Sequence, residues 1–321
     1  MGSRKGRRVE ERFAVVVVNY GSHELLQRNL GPSVAGLDLD VVVVDNFTTS
    51  AERVAVTELA ARQGWTAVLS PSNVGFGAGN RLGIERARRG GATTFLLLNP
   101  DARLAPADLT RLLARARAHP LELVAPLVAR PDGTSFAELQ DVYLADGRMR
   151  ASRVRPPEVP ESDVIRWVSG ACLAFSAQLW DVSGGFDDDY FLYWEDVDLS
   201  ARVWRSGGTV RVEADVTAIH DEGATHGFHG ALRAKSPVYY YYNIRNRLLF
   251  AKKHLDRSAQ LRWRRATPRV AMLVLLQGGR RQFLRPGRTI VPALRAIRDG
   301  RQARGGMGGP QIGGSQEVDP H

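Results

Sequence analysis

A run of β-branched residues, Phe13-Ala-Val-Val-Val-Val18, constrains the fold more than any other feature of the chain. Runs of the same kind follow at Leu39-Asp-Val-Val-Val-Val44, Trp65–Leu69 and Thr94-Phe-Leu-Leu-Leu98. They are mostly continuous rather than alternating, so each strand should be buried on both faces, as in a parallel sheet between helices. Helical patterns separate them: through Leu25, Leu26 and Leu30, over about Glu52–Gln63, and over about Gly79–Arg89. The order β-α-β-α-β-α-β predicts an α/β chain with a doubly wound, mostly parallel sheet. Such sheets take ligands beyond the carboxyl ends of their strands.

Those ends are polar. Asn19 and Tyr20 follow Val18, Asp45 and Asn46 follow Val44, and Asn99, Pro100 and Asp101 follow Leu98. Residues of these types also punctuate ordinary turns. Three together at one sheet edge favour a binding site. Asn73-Val-Gly-Phe-Gly-Ala-Gly-Asn80 is a glycine-rich loop before a helix, which could let backbone approach a diphosphate. It is not the dinucleotide fingerprint, because Asn80 stands where the third glycine belongs.

Beyond a Pro-, Arg- and Glu-rich loop at Arg148–Asp163, Trp167-Val-Ser-Gly-Ala-Cys-Leu-Ala-Phe175 predicts one buried strand. Ser183–Asp189 predicts a turn, Glu195–Ser206 a helix closed by Gly207-Gly208, and Thr209–Val212 a short strand leading to Ile219-His220. The helix should bury Val197, Ala201 and Trp204. Its first turn holds three carboxylates, Glu195, Asp196 and Asp198, where the positive helix end favours acids anyway. Asp198 stands four residues before Arg202, which predicts a surface ion pair. Glu195 and Asp196 follow the aromatic block Tyr190-Phe-Leu-Tyr-Trp194. Aromatic walls suit a sugar ring and exclude water, so a carboxylate there is a candidate general base. Asp101 and His220 are candidate ligands for Mg²⁺ or Mn²⁺, which are usually held by a carboxylate plus substrate phosphates. On spacing alone, His226 and His229 compete with His220.

The formal charge of +10 suits an anionic membrane, a phosphorylated substrate or a nucleic acid. The excess sits at the ends, in Arg4-Lys5-Gly6-Arg7-Arg8 and beyond Arg262, whereas every candidate site carries acids. That distribution argues against nucleic acid and for a basic, partly apolar tail on an anionic membrane surface. The single Cys172 excludes a disulfide framework and fits a reducing compartment. Apolar stretches such as Val270–Leu276 fall short of the roughly 20 residues that span a bilayer. The expected location is cytoplasmic, peripheral on the inner face of the cell membrane.

Taken in order, these segments resemble family 2 glycosyltransferases of the GT-A fold, especially the rhamnosyltransferase-like branch that builds bacterial cell-surface polysaccharides. The resemblance rests on Val17-Val18-Asn19-Tyr20, Val43-Val44-Asp45-Asn46, Asn73–Asn80, Leu97-Leu98-Asn99-Pro100-Asp101, Trp167-Val-Ser-Gly170-Ala171, Gly184-Gly185-Phe186-Asp187 and Phe191–Leu199. It spans about Phe13 to Leu255. It implies a basic N-terminus through residue 11, a GT-A domain over 12–255, and a basic helical extension over 256–321 with a disordered Gly-rich end. It also implies that Asp45 contacts the nucleobase in a pocket shaped by Asn19 and Tyr20. Asn73, Gly75 and Asn80 then line the nucleotide-sugar loop. Asn99 and Asp101 form the Asp-x-Asp element, with Asp101 and His220 on the metal. Asp196 is the base, Glu195 holds the acceptor beside Trp167, Gly170 and Trp194, and Arg245, in Tyr241–Asn246, faces a phosphate.

The implied reaction moves a sugar, L-rhamnose from dTDP-rhamnose being favoured, from a dTDP- or UDP-linked donor to a saccharide or lipid-linked saccharide. One base without a second positioned carboxylate implies a single, inverting displacement. The chain departs from the pattern at Asn99 and at Asn46, each standing where an acid is common. A sugar-nucleotide-forming nucleotidyltransferase is the alternative enzyme. Asn19-Tyr20-Gly21-Ser22 lacks the glycine-rich basic loop that such an enzyme needs after its first strand.

Overall fold

A computed structural model describes residues 12–221 and 235–303, which form two units. The expected disordered ends, together with His226 and His229, lie outside the described residues.

The first unit opens with β1 (Arg12–Asn19), the short helices α1 (His23–Leu25) and α2 (Gly31–Val34) around a π-helical stretch, and β2 (Asp40–Asp45). Next come α3 (Ser50–Gln63), β3 (Thr66–Leu69), α4 (Phe76–Arg89), β4 (Ala92–Leu98), β5 (Ala102–Arg103) and α5 (Pro106–Ala118). β6 (Glu122–Ala129) and β7 (Ser135–Ala137) lead into the second unit, whose strands are β8 (Gln140–Tyr143), β9 (Met149–Ala151) and β10 (Val164–Trp167). The chain returns to the first unit for β11 (Cys172–Ser176) and α6 (Ala177–Ser183). Helix α7 (Glu195–Arg205) precedes β12 (Thr209–His220). The helices α8 (Pro237–His254), α9 (Arg257–Leu276) and α10 (Ile290–Gln302) belong to the second unit.

The large sheet has the order β3-β2-β1-β4-β11-β6-β12-β5, with β7 beside β6. β1, β2, β3 and β4 are mutually parallel, as are β6 and β12. β11 runs antiparallel between β4 and β6, and β5 runs antiparallel to β12. Ala14 through Val17 are fully buried, as continuous apolar strands between helical layers must be. Helix α4 lies close to this sheet because its facing side is bare: a Cβ on Gly79 would stand 3.0 Å from Val18, and one on Gly83 would overlap Val16.

The second unit pairs the antiparallel sheet β10-β8-β9 with the C-terminal helices. Ser236 caps α8 by accepting from the Tyr239 amide, and Asp256 caps α9 by accepting from Ala259 at 2.8 Å. Buried Trp263 donates its indole hydrogen to the Leu144 carbonyl at 2.8 Å. The Arg247 guanidinium stacks on that indole at 5.0 Å and donates to Thr267 and to the Asp146 carbonyl. Burial pushes Arg247 down to about 10, against the pull of Asp146.

Several expectations are corrected. The segment Trp167–Phe175 is two strands: β10 joins the small sheet and β11 the large one, with Val168–Ala171 turning between them. Helix α4 begins at Phe76, so Gly77 and Gly79 are helical rather than loop. β12 continues past Val212 to His220, its register shifting between Glu213 and Thr217. Trp204 is 59% exposed, because α7 buries Leu199 and Val203 beside Val197 and Ala201.

Candidate active site

The first unit gathers the nucleotide-side candidates at one edge. Parallel register sets Asn19 beside Asp45 and Asp45 beside Leu69, so β1, β2 and β3 end level. Asp45 is fully buried. Its Oδ2 accepts from Arg53 Nε at 2.7 Å, while Oδ1 meets no donor. A buried, unsatisfied carboxylate oxygen is costly, and such groups in folded proteins usually serve a ligand. Arg53, which the sequence did not reveal as a site residue, is itself stacked 4.6 Å over Phe47, a residue held at φ 40°.

Asn19 is also fully buried, and both ends of its amide are used. Oδ1 accepts from Ser22 at 3.2 Å and Nδ2 donates to Glu52 at 2.9 Å. Glu52 further accepts from the backbone amide and the ring of His23, each at 2.7 Å. Burial acts to raise the Glu52 carboxyl, but the bonds from Asn19 and His23 outweigh it and hold the group below the usual range. This network locks the Asn19 amide in place, and Tyr20 beside it is exposed.

The glycine-rich segment is held from below. Asn46 Nδ2 donates to Asn73 Oδ1 at 2.9 Å and to the Gly75 carbonyl at 3.2 Å, while its Oδ1 accepts from the Val74 amide at 2.9 Å. Asn73 Oδ1 also accepts from the Gly75 amide at 3.0 Å. Gly75, at φ 89°, turns the chain into α4, and Asn80 donates back to the Phe76 carbonyl at 3.0 Å. An asparagine at position 46 is thus the clamp of this loop, with both donor and acceptor in use.

Asp101 and His220 meet because β5 pairs antiparallel with the end of β12, setting Ala102 opposite His220. Both side chains are buried, and Asp101 Oδ1 lies 3.1 Å from His220 Nε2. The contact lacks hydrogen-bond alignment, and neither ring nitrogen of His220 has a hydrogen-bond partner. Phe136 stacks on the imidazole at 4.6 Å and fixes its plane. Two ligands bound at 2.0–2.2 Å to one ion stand about 3 Å apart, so the pair fits part of a divalent-cation site. Among the described residues no group of three or more His, Cys, Asp and Glu forms such a site. Asn99 orders the approach through backbone bonds to Ala171 at 2.9 Å and Ala102 at 3.0 Å, and its Oδ1 is buried without a partner. Gly170 is buried in the same unit.

The second unit holds the acceptor-side candidates. Tyr193 and Trp194 take φ values of 64° and 76°, a left-handed pair of bulky residues that is strained without support. The support is Asn246 on α8, whose Nδ2 donates to the carbonyls of Leu192 at 2.9 Å and Tyr193 at 2.7 Å. This strained turn ends at Glu195 and Asp196, the first residues of α7. Glu195 is buried and its Oε2 is unpartnered. Burial, reinforced by the neighbouring charges of Asp196 and Asp198, pushes its carboxyl well above the usual range. Asp196 is partly exposed and accepts from the Val197 amide at 2.9 Å. Trp167 presents a buried indole N–H without an acceptor.

Asp198 is not on the surface. It is fully buried and meets His254 Nε2 at 2.6 Å, because its side of the helix faces α8. Arg245 donates to the Asp189 carbonyl at 2.8 Å and to Asn246 Oδ1 at 2.7 Å, and Lys253 pairs with Asp187 at 2.6 Å. Burial acts to lower the Lys253 ammonium, but its bonds to Asp187 and Asp189 outweigh that and raise it. Asn246, Lys253 and His254 recur along one helix and brace 187–198. Their sequence gave no sign of these roles, since each bond joins residues distant in the chain.

A mostly parallel sheet with polar strand ends, a buried carboxylate at the second of them and an Asp–His pair at its far side is the arrangement of a GT-A fold. Two solved structures share that fold. GalNAc-T7 with UDP, GalNAc and Mn²⁺ matches with a TM-score of 0.57 at 14% identity over 77% of this chain, which spans 48% of that protein. The mannosyltransferase PcManGT from Pyrobaculum calidifontis, in complex with GDP-Man and Mn²⁺, matches with a TM-score of 0.53 at 17% identity, covering 91% of this chain and 86% of that one.

The glycosyl transferase family 2 model matches residues 14–161 of the chain. The chain is 29% identical over 225 residues to the N-acetylglucosaminyl-diphospho-decaprenol L-rhamnosyltransferase of Mycobacterium tuberculosis, covering 60% of this chain and 70% of that protein. It is 23% identical over 251 residues to a low-salt glycan biosynthesis hexosyltransferase of Haloferax volcanii, covering 77% of each.

Proposed function

We propose that this glycosyltransferase moves L-rhamnose, with inversion, from dTDP-rhamnose to a lipid-linked saccharide in cell-surface polysaccharide synthesis. The observation that carries metal-dependent transfer is the buried Asp101–His220 pair, two ligand atoms 3.1 Å apart without a hydrogen bond. The choice of donor sugar and acceptor follows the relative named for that rhamnosyl transfer. The location is cytoplasmic, in keeping with a lone, buried cysteine. No helix among the described residues is long and apolar enough to cross a membrane.

In this reading Asp45 Oδ1 accepts a hydrogen bond from the nucleobase, with Arg53 holding the carboxylate in place. Asn19, Tyr20 and the clamped Asn73–Asn80 segment shape the donor pocket. Asp101 and His220 would hold Mg²⁺ or Mn²⁺, which would offset the negative charge of the nucleoside-diphosphate leaving group. Asp196 takes the proton of the acceptor hydroxyl. The freed oxygen bonds to the anomeric carbon as the bond from that carbon to the β-phosphate oxygen breaks, and the nucleoside diphosphate leaves with the electron pair. Glu195, its carboxyl kept protonated by burial, donates a hydrogen bond to the acceptor beside Trp167 and Trp194. Gly170 leaves room for the sugar, and Arg245 orders the 187–198 turn through the Asp189 carbonyl.

The test is thermal shift with dTDP, UDP and GDP, each with Mn²⁺, Mg²⁺ or EDTA, on wild type and Asp101→Ala, followed by rhamnosyl transfer from dTDP-rhamnose. Metal-dependent stabilisation by dTDP that Asp101→Ala abolishes supports the reading. Stabilisation by GDP alone sinks the donor assignment. No response to any nucleotide sinks the proposal as a whole.

A further inference from the structure

The C-terminal part of the second unit carries a basic surface with exposed aliphatic side chains, to which the transfer reading assigns no role. From Arg257 to Arg298 the sequence has eleven arginines, no lysine and no acid. On α9, Leu261, Arg265, Arg269, Met272 and Leu276 recur at i, i+4, i+8, i+11 and i+15, a single helix face, and all are exposed. The opposite face buries Trp263 and Val270. On α10, Val291, Leu294, Arg295 and Arg298 recur at i, i+3, i+4 and i+7 and are exposed, while Ala293 and Ala296 are buried. Between the helices Leu284 is 83% exposed, flanked by Arg281 and Arg285. Asp299, the first acid after this stretch, is already held by Arg298 at 2.9 Å and Tyr241 at 2.8 Å.

Exposed aliphatic side chains set among arginines combine two affinities. Leu276, Leu284 and Leu294 gain by leaving water for a shallow apolar layer, and the guanidinium forks match phosphate oxygens. The arginine stems can lie along that layer while their heads stay polar. The exposed apolar residues here are aliphatic, whereas a single-stranded nucleic-acid surface needs exposed rings for base stacking. We propose that this face docks the protein on an anionic lipid bilayer, with the leucines at the acyl boundary and the arginines on the headgroup phosphates.

The experiment is vesicle flotation of the full chain with phosphatidylcholine alone or mixed with phosphatidylglycerol, and with single-stranded RNA as a competitor. Vesicles carry no saccharide acceptor and no donor is added, so the result is independent of the transfer reading. Wild type should float with the anionic vesicles and stay behind with the neutral ones. Arg281→Gln/Arg285→Gln/Arg288→Gln should weaken flotation by about fivefold per arginine. Leu284→Glu/Leu294→Glu should weaken it at unchanged melting temperature, the substitutions being on the surface. Equal flotation with both vesicles, wild-type flotation by both variants, no flotation at all, or RNA stripping the protein from the vesicles would each overturn the proposal.

Discussion

Asp101 Oδ1 and His220 Nε2 are 3.1 Å apart, buried, and not aligned to hydrogen-bond. Neither ring nitrogen of His220 has a hydrogen-bond partner, and a cation beside the carboxylate would take up Nε2. His220→Ala should therefore remove Mn²⁺-dependent nucleotide stabilisation and lower transfer by at least about 100-fold. Calorimetry of Mn²⁺ binding with dTDP present checks it. Wild-type Mn²⁺ affinity in the variant would rule out the assignment.

Asn246 supplies the two bonds that hold the left-handed Tyr193–Trp194 turn. Asn246→Ala should remove these two hydrogen bonds, at about 1–3 kcal/mol in all. The turn that aims Glu195 and Asp196 would loosen. Transfer should fall by about 10–100-fold in kcat, since small misplacements of reacting groups cost that much, while donor affinity is unchanged. A KM effect on the donor with kcat intact would contradict the positioning role.

Burial raises the Glu195 carboxyl, so the unfolded chain releases that proton at lower pH than the folded one. Its ionisation costs stability as pH rises above the ordinary glutamate value, and the cost is absent below it. Glu195→Gln should accordingly melt higher than wild type at neutral pH, by roughly 2–4 °C for each kcal/mol recovered. The difference should vanish near pH 4. Melting curves across pH decide this, and a variant less stable at pH 7 than at pH 4, relative to wild type, refutes it.

Gly83 packs directly against Val16, and a methyl group there has no room. Gly83→Ala should destabilise the first unit by about 1–3 kcal/mol, as overpacking does. Adding Val16→Ala should recover part of the loss, because the two changes share one space. Chemical denaturation of the single and double variants measures this. An unaffected Gly83→Ala would show that α4 does not rest on its glycines.

The β1–β4 core and its polar ends could be read in advance because burial on two faces forces a continuous apolar run, and period and polarity are local properties of sequence. The same is true of the acids opening α7. Asp45, Asp101 and Asp196 were visible as candidates because each follows an apolar or aromatic run within a few residues. The packing role of the α4 glycines was not legible, since a bare residue looks the same whether it leaves room for a ligand or for a valine.

Sequence by itself determined the first four strands, their order along the chain and the polar residues at their ends, since these depend on neighbours in the chain. Only tertiary structure decided that β5 would fold back on β12 and bring Asp101 to His220. It also decided that Asp198 would turn inward to His254, and that Asn246 would hold up a turn far away in sequence. Those pairings depend on which helix faces and strand edges come together, and no local pattern encodes the distance between two side chains separated by a hundred residues or more, or even by about fifty.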